Sequence, residues 1–241
     1  MIEPLLVAEL LLLGTATGFL AGLLGIGGGM VMVPFLTLIL SHRGVPGDLA
    51  VKMAIATSMA TILFTSLSSV RAQHGRGAVR WDIVRAMAPG IVLGGLVAGA
   101  GVFALIKGQA LALFFALFVG FSATQMLRDK KPKPTRQLPG AAGQTAAGGG
   151  IGLVSGLVGA GGGIGFVSGL VGAGGGFISV PFMTWCNVPI HNAVATSAAL
   201  GFPIALASTV GYVIGGWNLP SALPGSFGYL YLPALVCIAA A

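Results

Sequence analysis

The chain has 241 residues, of which only 7% are charged and 56% hydrophobic, with a mean hydropathy of +0.98; an ordinary soluble domain carries about 25% charged residues, so a soluble globular fold is excluded. The net charge of +7 would suggest nucleic acid as a partner of a soluble protein. Here most Lys and Arg gather in two short segments, as the positive-inside rule requires of a membrane protein, and no nucleic-acid partner is expected.

From Pro4 to Leu40 the only charge is Glu9. One straight helix over that stretch would be about 55 Å long, nearly twice the ~30 Å hydrocarbon core, so the helix must break. The natural breaks are Gly27-Gly28-Gly29 and Pro34, and Gly14, Gly18 and Gly22 mark a packing face on the helix before them. A polar connection from Ser41 to Leu49 leads to a span predicted over Val51 to Val70 that is rich in Thr and Ser. Most of those hydroxyls should bond back to a carbonyl of the preceding turn. Arg71 to Arg85 is expected to be a basic cytoplasmic loop ending near Trp81. Spans over Ile83 to Ile106 and Gln109 to Leu127 follow, returning the chain to the same side for a second basic cluster, Arg128 to Arg136.

The second half opens with two almost identical thirteen-residue units, Gly148 to Ala160 and Gly161 to Ala173, which differ only at Leu153 and Phe166. Gly169 to Phe182 then repeats Gly22 to Phe35 in register, glycine triplet, Val and Pro included. Asn192-Ala-Val-Ala-Thr-Ser197 repeats Met53-Ala-Ile-Ala-Thr-Ser58, and Val188-Pro189 repeats Val45-Pro46. Of the two candidate triplets, Gly174 to Gly176 is expected at the break, because only it leads into Val180-Pro181. His191 to Tyr212 should be the counterpart of the hydroxyl-rich span, and another span starts after Gly225.

The fold expected is thus all-α, a polytopic membrane helical bundle of two duplicated halves with Gly-broken helices. The divisions are a first transmembrane repeat over residues 1–127, a basic cytoplasmic linker over 128–143 and a second repeat over 144–241. Ala241 aligns with about Val97 of the first half, so the second repeat is expected to be C-terminally incomplete. The N-terminus lacks a basic region, and its apolar run is too long for a signal-peptide core, so it should stay in the mature protein. Whether the halves are parallel or inverted depends on whether Pro4 to Leu40 crosses once or makes a hairpin.

A backbone break at membrane depth must face protein or a wet cavity, since unpaired N–H and C=O groups in lipid cost several kcal/mol each. Glycines beside a helix N-terminus leave amides aimed outward at the positive end of a dipole, which suits an anion. The expected substrate-binding residues are Gly27, Gly28, Gly29, Thr57, Ser58, Gly174, Gly175, Gly176, Thr196 and Ser197, with the two breaks brought together near the bilayer midplane. Glu9 is the sole carboxylate of the core spans, which disfavours a carboxylate-lined cation path. No complete G-x-G-x-x-G, phosphate-loop lysine, nucleophile elbow or metal spacing occurs, so neither an enzyme, a cofactor nor a metal is expected. Cys186 and Cys237 stand in apolar surroundings and are expected to be buried thiols.

The paired G-x-G-G-G-x-x-x-V-P blocks resemble the sulfite exporter TauE/SafE family of membrane permeases. So do the Ala-Thr-Ser helix after each block, Arg80-Trp81-Asp82, and the Leu223 to Leu235 stretch. The resemblance implies a multi-pass protein of the bacterial inner membrane that transports sulfite, sulfonates or related organosulfur or carboxylate anions. The partners expected are a small anionic substrate and the lipid bilayer, with room left for a homo-oligomer. An anion channel of the same architecture and a non-transporting membrane scaffold are the alternatives; only a secondary transporter drives uphill flux.

Overall fold

The computed structural model describes residues 4–24, 28–127, 161–172, 174–219 and 223–241. In chain order these form α1 (Pro4–Leu24), α2 (Gly29–His42), α3 (Gly47–Gly75) and α4 (Trp81–Leu105), which carries a wide π-type turn over Val97–Val102. There follow α5 (Gly108–Leu127), α6 (Gly161–Val171), α7 (Gly176–Trp185) and α8 (Ile190–Gly215). A two-stranded hairpin, β1 (Ser226–Phe227) against β2 (Leu230–Tyr231), leads into α9 (Leu232–Ala240). The protein is an all-α membrane bundle. Among the described residues α3, α4 and α8 are long and apolar enough to cross a bilayer. Leu12, Phe19, Leu105 and Leu117 are more than half exposed, as side chains that face lipid rather than water should be.

Short contacts give the direction of each helix. At one face, the Lys52 ammonium on α3 donates to the Ala104 carbonyl at the end of α4, 3.0 Å away, and Asp48 Oδ1 accepts the Gln109 amide at the start of α5. At the other face, Asn192 on the first turn of α8 donates to the Ala78 carbonyl, in the loop after α3. Thus α3 and α8, the two Ala-Thr-Ser helices, start at opposite faces and run antiparallel. They are each other's counterparts in the repeat and pack together at the centre, so the halves are inverted.

The same logic resolves the glycine-broken segments as hairpins. Leu5 and Glu9 of α1 share a groove with Ile39 and His42 of α2 and with Arg43, which caps it, so α2 runs back along α1. In the second half α6 lies parallel to α4, with Gly161 against Met87, Gly165 against Ile91 and Gly169 against Ala98. Each of these small residues lets backbones touch. Since α7 leads back to the start of α8, the α6–α7 hairpin enters from the face opposite to that of α1–α2. At 14 and 10 residues, α2 and α7 are about 21 and 15 Å long, so both hairpin tips lie inside the bilayer thickness.

Third helices are exchanged between halves: α4 packs on α6 and α8, and α9 on α1 and α3. Gly95 and Gly99 of α4 meet Ala207, Ser208 and Gly211 of α8 at a crossing where methyl groups would stand about 3 Å from the neighbouring chain. Bulkier residues would force these helices apart.

Several sequence expectations change in detail. The basic loop contracts to residues 76–80, because Arg71 is still in α3 and Trp81, Asp82 and Arg85 already belong to α4; α3 is correspondingly longer than Val51 to Val70. The second basic cluster, the linker over 128–143 and the Gly148 to Ala160 unit lie outside the described residues. Cys186 and Cys237 are half-buried rather than buried.

Candidate functional site

The tips of the two hairpins touch. A methyl group on Gly29 would overlap the carbonyl oxygen of Gly172, and Gly172 in turn sits against Ile55 and the Ser58 hydroxyl, 3.1 Å from where its own Cβ would stand. Gly172 and Gly175 have φ of +72° and +78°, in the left-handed region that glycine tolerates without strain. Gly161 to Gly163, the competing triplet, are helical within α6, while Gly174 and Gly175 form the break before α7. Gly28 caps α2 with an ordinary φ of −55°. Gly27 lies outside the described residues.

Two half-helices, α2 and α7, therefore begin at one junction deep in the protein. By geometry the first amides of each have no partner within the helix, and both positive dipole ends face the junction. The hydroxyls predicted to join them divide into two kinds. Ser58 donates back to Ile55 O at 2.9 Å and lies 3.5 Å from the Gly172 carbonyl. Ser197 is 3.4 Å from the position of a Cβ on Gly176 and bonds the Ser179 hydroxyl at 2.8 Å. Both serines thus stand at the tips.

Thr57 and Thr196 join the two halves. The Thr57 oxygen accepts the amide of Tyr231, which caps α9, at 3.1 Å, and the Thr196 oxygen accepts the amide of Arg80, which caps α4, at 3.0 Å. Each half thus caps the third helix of the other, through the same residue of the repeat. Each bond engages a lone pair of the hydroxyl oxygen and leaves its proton, the donor expected from the sequence, out of the cap.

Sequence reasoning missed further polar groups at the tips. A cavity of about 290 Å³ lies beside the first tip, lined by Gly28, Met32, Thr17, Thr61, Thr65 and Ser68 among others. Thr17, Thr61 and Thr65 donate to carbonyls of their own helices, so it is their lone pairs that remain for other partners. The spacing of these residues on α3 could have shown that they share a face, but not that the face meets α1. Beside the second tip stand Ser168 and Ser179. Ser179 donates to Gly175 O at 2.9 Å, and Ser168 is 1% exposed with no hydrogen-bond partner for its hydroxyl among the described residues.

Compared with known proteins, residues 10–164 and again 161–241 match the family described as "Sulfite exporter TauE/SafE". A "Probable membrane transporter protein" of Haemophilus influenzae is 35% identical over 230 residues, 95% of this chain and 82% of that protein. The "Probable membrane transporter protein YunE" of Bacillus subtilis is 29% identical over 125 residues, 52% of this chain and 45% of that protein. No solved structure matches the chain.

Proposed function

Because the chain belongs to the sulfite exporter TauE/SafE family of membrane transporters, we propose that it is a secondary transporter of small anions in the bacterial inner membrane. Its cargo on this reading is sulfite, a sulfonate or a related organosulfur or carboxylate anion. The observation that carries the reading is the contact of two glycine tips from inverted hairpins, each opening a half-helix N-terminus at the junction. Inverted repeats with broken helices at their interface are how secondary transporters place substrate near the midplane, with N-terminal dipoles toward an anionic group. Gly28, Gly29, Gly174, Gly175 and Gly176 supply backbone, and Ser197 supplies a hydroxyl, joined by Ser58 once its proton turns from the Ile55 carbonyl. Neutral donors of this kind bind an anion without a buried arginine that would hold it too long. Alternating access follows from rocking one half against the other, with the Thr57 and Thr196 caps as the seams between halves.

The test is flux in proteoliposomes. Purified protein should accumulate sulfite against its gradient when an ion gradient is imposed, whereas a channel would only dissipate a gradient. Absence of flux for sulfite, sulfonates and small carboxylates alike would overturn the reading and leave the scaffold alternative.

A further inference from the structure

In the register that aligns Gly22 to Phe35 with Gly169 to Phe182, Ser168 and Ser179 replace Ala21 and Met32. The two tips are therefore alike in their glycine pattern and unlike in the chemistry around it. Three serine hydroxyls, those of Ser168, Ser179 and Ser197, surround the start of α7, whereas Thr61 and Thr65 beside the start of α2 already donate to carbonyls of their own helix.

Ser168 sits in the last turns of α6, fully enclosed, with its oxygen 3.4 Å from the position of a Cβ on Gly175. Among the described residues no group accepts its proton or donates to it. A buried hydroxyl left in that state is unfavourable unless something fills the vacancy in its hydrogen bonding. It faces the capping glycine of a ten-residue helix, where the amides of Gly176 and Phe177 have no carbonyl within the helix to pair with.

Ser197, on α8, lies 3.4 Å from the corresponding point on the next residue, Gly176. Its hydroxyl is joined to that of Ser179, which also reaches Gly175 O. That carbonyl already accepts the amides of Ile178 and Ser179 at 3.1 and 2.8 Å. The Ser179 proton can therefore rotate from Gly175 O to Ser197 without leaving the carbonyl bare, and the Ser197 proton is then released toward a ligand.

We propose that the second hairpin tip carries an oxyanion half-site in which Ser168 and Ser197 donate hydrogen bonds to a small oxyanion at the N-terminus of α7. Ser179 is the positioning residue that hands Ser197 its partner. The half-site rests on the reading of the chain as an anion transporter and deepens it: the anion is held mainly by the second half, and the first tip closes against it. The ligand class is a compact oxyanion with several equivalent oxygens, since the donors converge from α6, α7 and α8.

The experiment measures KM for sulfite in proteoliposomes, and thermal unfolding of the purified protein against sulfite, sulfate and acetate. Ser168→Ala is expected to raise KM at least about tenfold, as loss of a hydrogen bond to a charged group does. Ser179→Ala should raise it less. Thr209→Val, which removes another buried hydroxyl without a hydrogen bond among the described residues, twelve residues beyond Ser197 along α8, should leave KM unchanged. If Ser168→Ala fails to fold, Ser168→Cys keeps the volume and weakens the donor, and must raise KM in the same direction. Wild-type KM in whichever of these two variants folds overturns the half-site. Should the wild type carry no sulfite but be stabilised by sulfate or acetate in a Ser168-dependent way, the half-site stands and the cargo reading falls. If no oxyanion is carried or stabilises the protein, both fall.

Discussion

The two hairpin tips share a sequence pattern and a place in the fold, yet they solve the broken-helix problem differently. At the first, Gly28 caps α2 in an ordinary helical conformation, Met32 follows, and a cavity of about 290 Å³ with back-bonded threonines lies alongside. At the second, Gly175 holds a left-handed φ of +78°, Ile204 covers it from α8, and three serines crowd around it. Duplication supplies the paired break; later divergence at positions such as 21 against 168 and 32 against 179 decides which tip offers hydrogen-bond donors. A glycine triplet on its own is silent about that choice.

The largest effect is expected where the comparison is most physical, at the point of contact. Gly29→Ala puts a methyl into the Gly172 carbonyl, and because both partners are backbone neither can yield cheaply. Overpacking of this kind costs about 1–3 kcal/mol, and transport should be lost. Gly18→Ala, on the same hairpin with open space around it, should keep both stability and flux. If Gly29→Ala behaves like Gly18→Ala in thermal unfolding and transport assays, the tips do not meet as described.

Gly175→Ala should be next in size, through two separable causes. The left-handed backbone costs a Cβ-bearing residue roughly 1–2 kcal/mol, and the new methyl meets Ile204 Cδ1. Ile204→Val removes that atom, so the double variant should recover part of the loss in melting temperature and retain the backbone share. Gly28→Ala, at φ −55°, carries no such backbone strain. Equal losses at Gly28 and Gly175 would erase the distinction between the tips.

The cross-half caps give a smaller contrast. Thr57→Val leaves a buried Tyr231 amide unpaired, which costs about 1–3 kcal/mol. Thr196→Val strands the amide of Arg80, which is only partly buried, and water can replace the lost acceptor. Thermal unfolding should therefore fall more for Thr57→Val than for Thr196→Val, and the reverse order would show that the two seams are not exposed as described.

Much of this architecture was legible in the sequence. Apolar length set against membrane thickness required breaks at the glycines, and the in-register blocks required two related halves. The continuation into Val180-Pro181 selected Gly174 to Gly176 over Gly161 to Gly163. Inversion was not legible, because it depends on whether α1 and α2 form a hairpin, and hydropathy is the same for a hairpin and a crossing. The exchange of third helices was hidden too, since Thr57 and Thr196 look like any hydroxyl of a membrane helix until α9 and α4 are seen to end on them. Ser168 is not legible because it lies in a duplicated glycine-rich unit, where Ser reads as one more small residue of a packing face. The role of Lys52 and Asp48 is hidden for a related reason: four-residue spacing says they share a face, not that they clamp the α4–α5 turn beside Phe103 and Tyr229.

The central claim is that an oxyanion is held where the two tips meet. Selenite has the shape and charge of sulfite and carries a heavy atom, so a crystal of the protein grown with selenite and measured at the selenium edge reports its position directly. The account predicts an anomalous peak within hydrogen-bonding distance of Ser168 and Ser197, beside Gly175 and Gly176. A peak confined to the surface groove of Glu9, His42 and Arg43, or to the cavity beside Thr61 and Thr65, would contradict it.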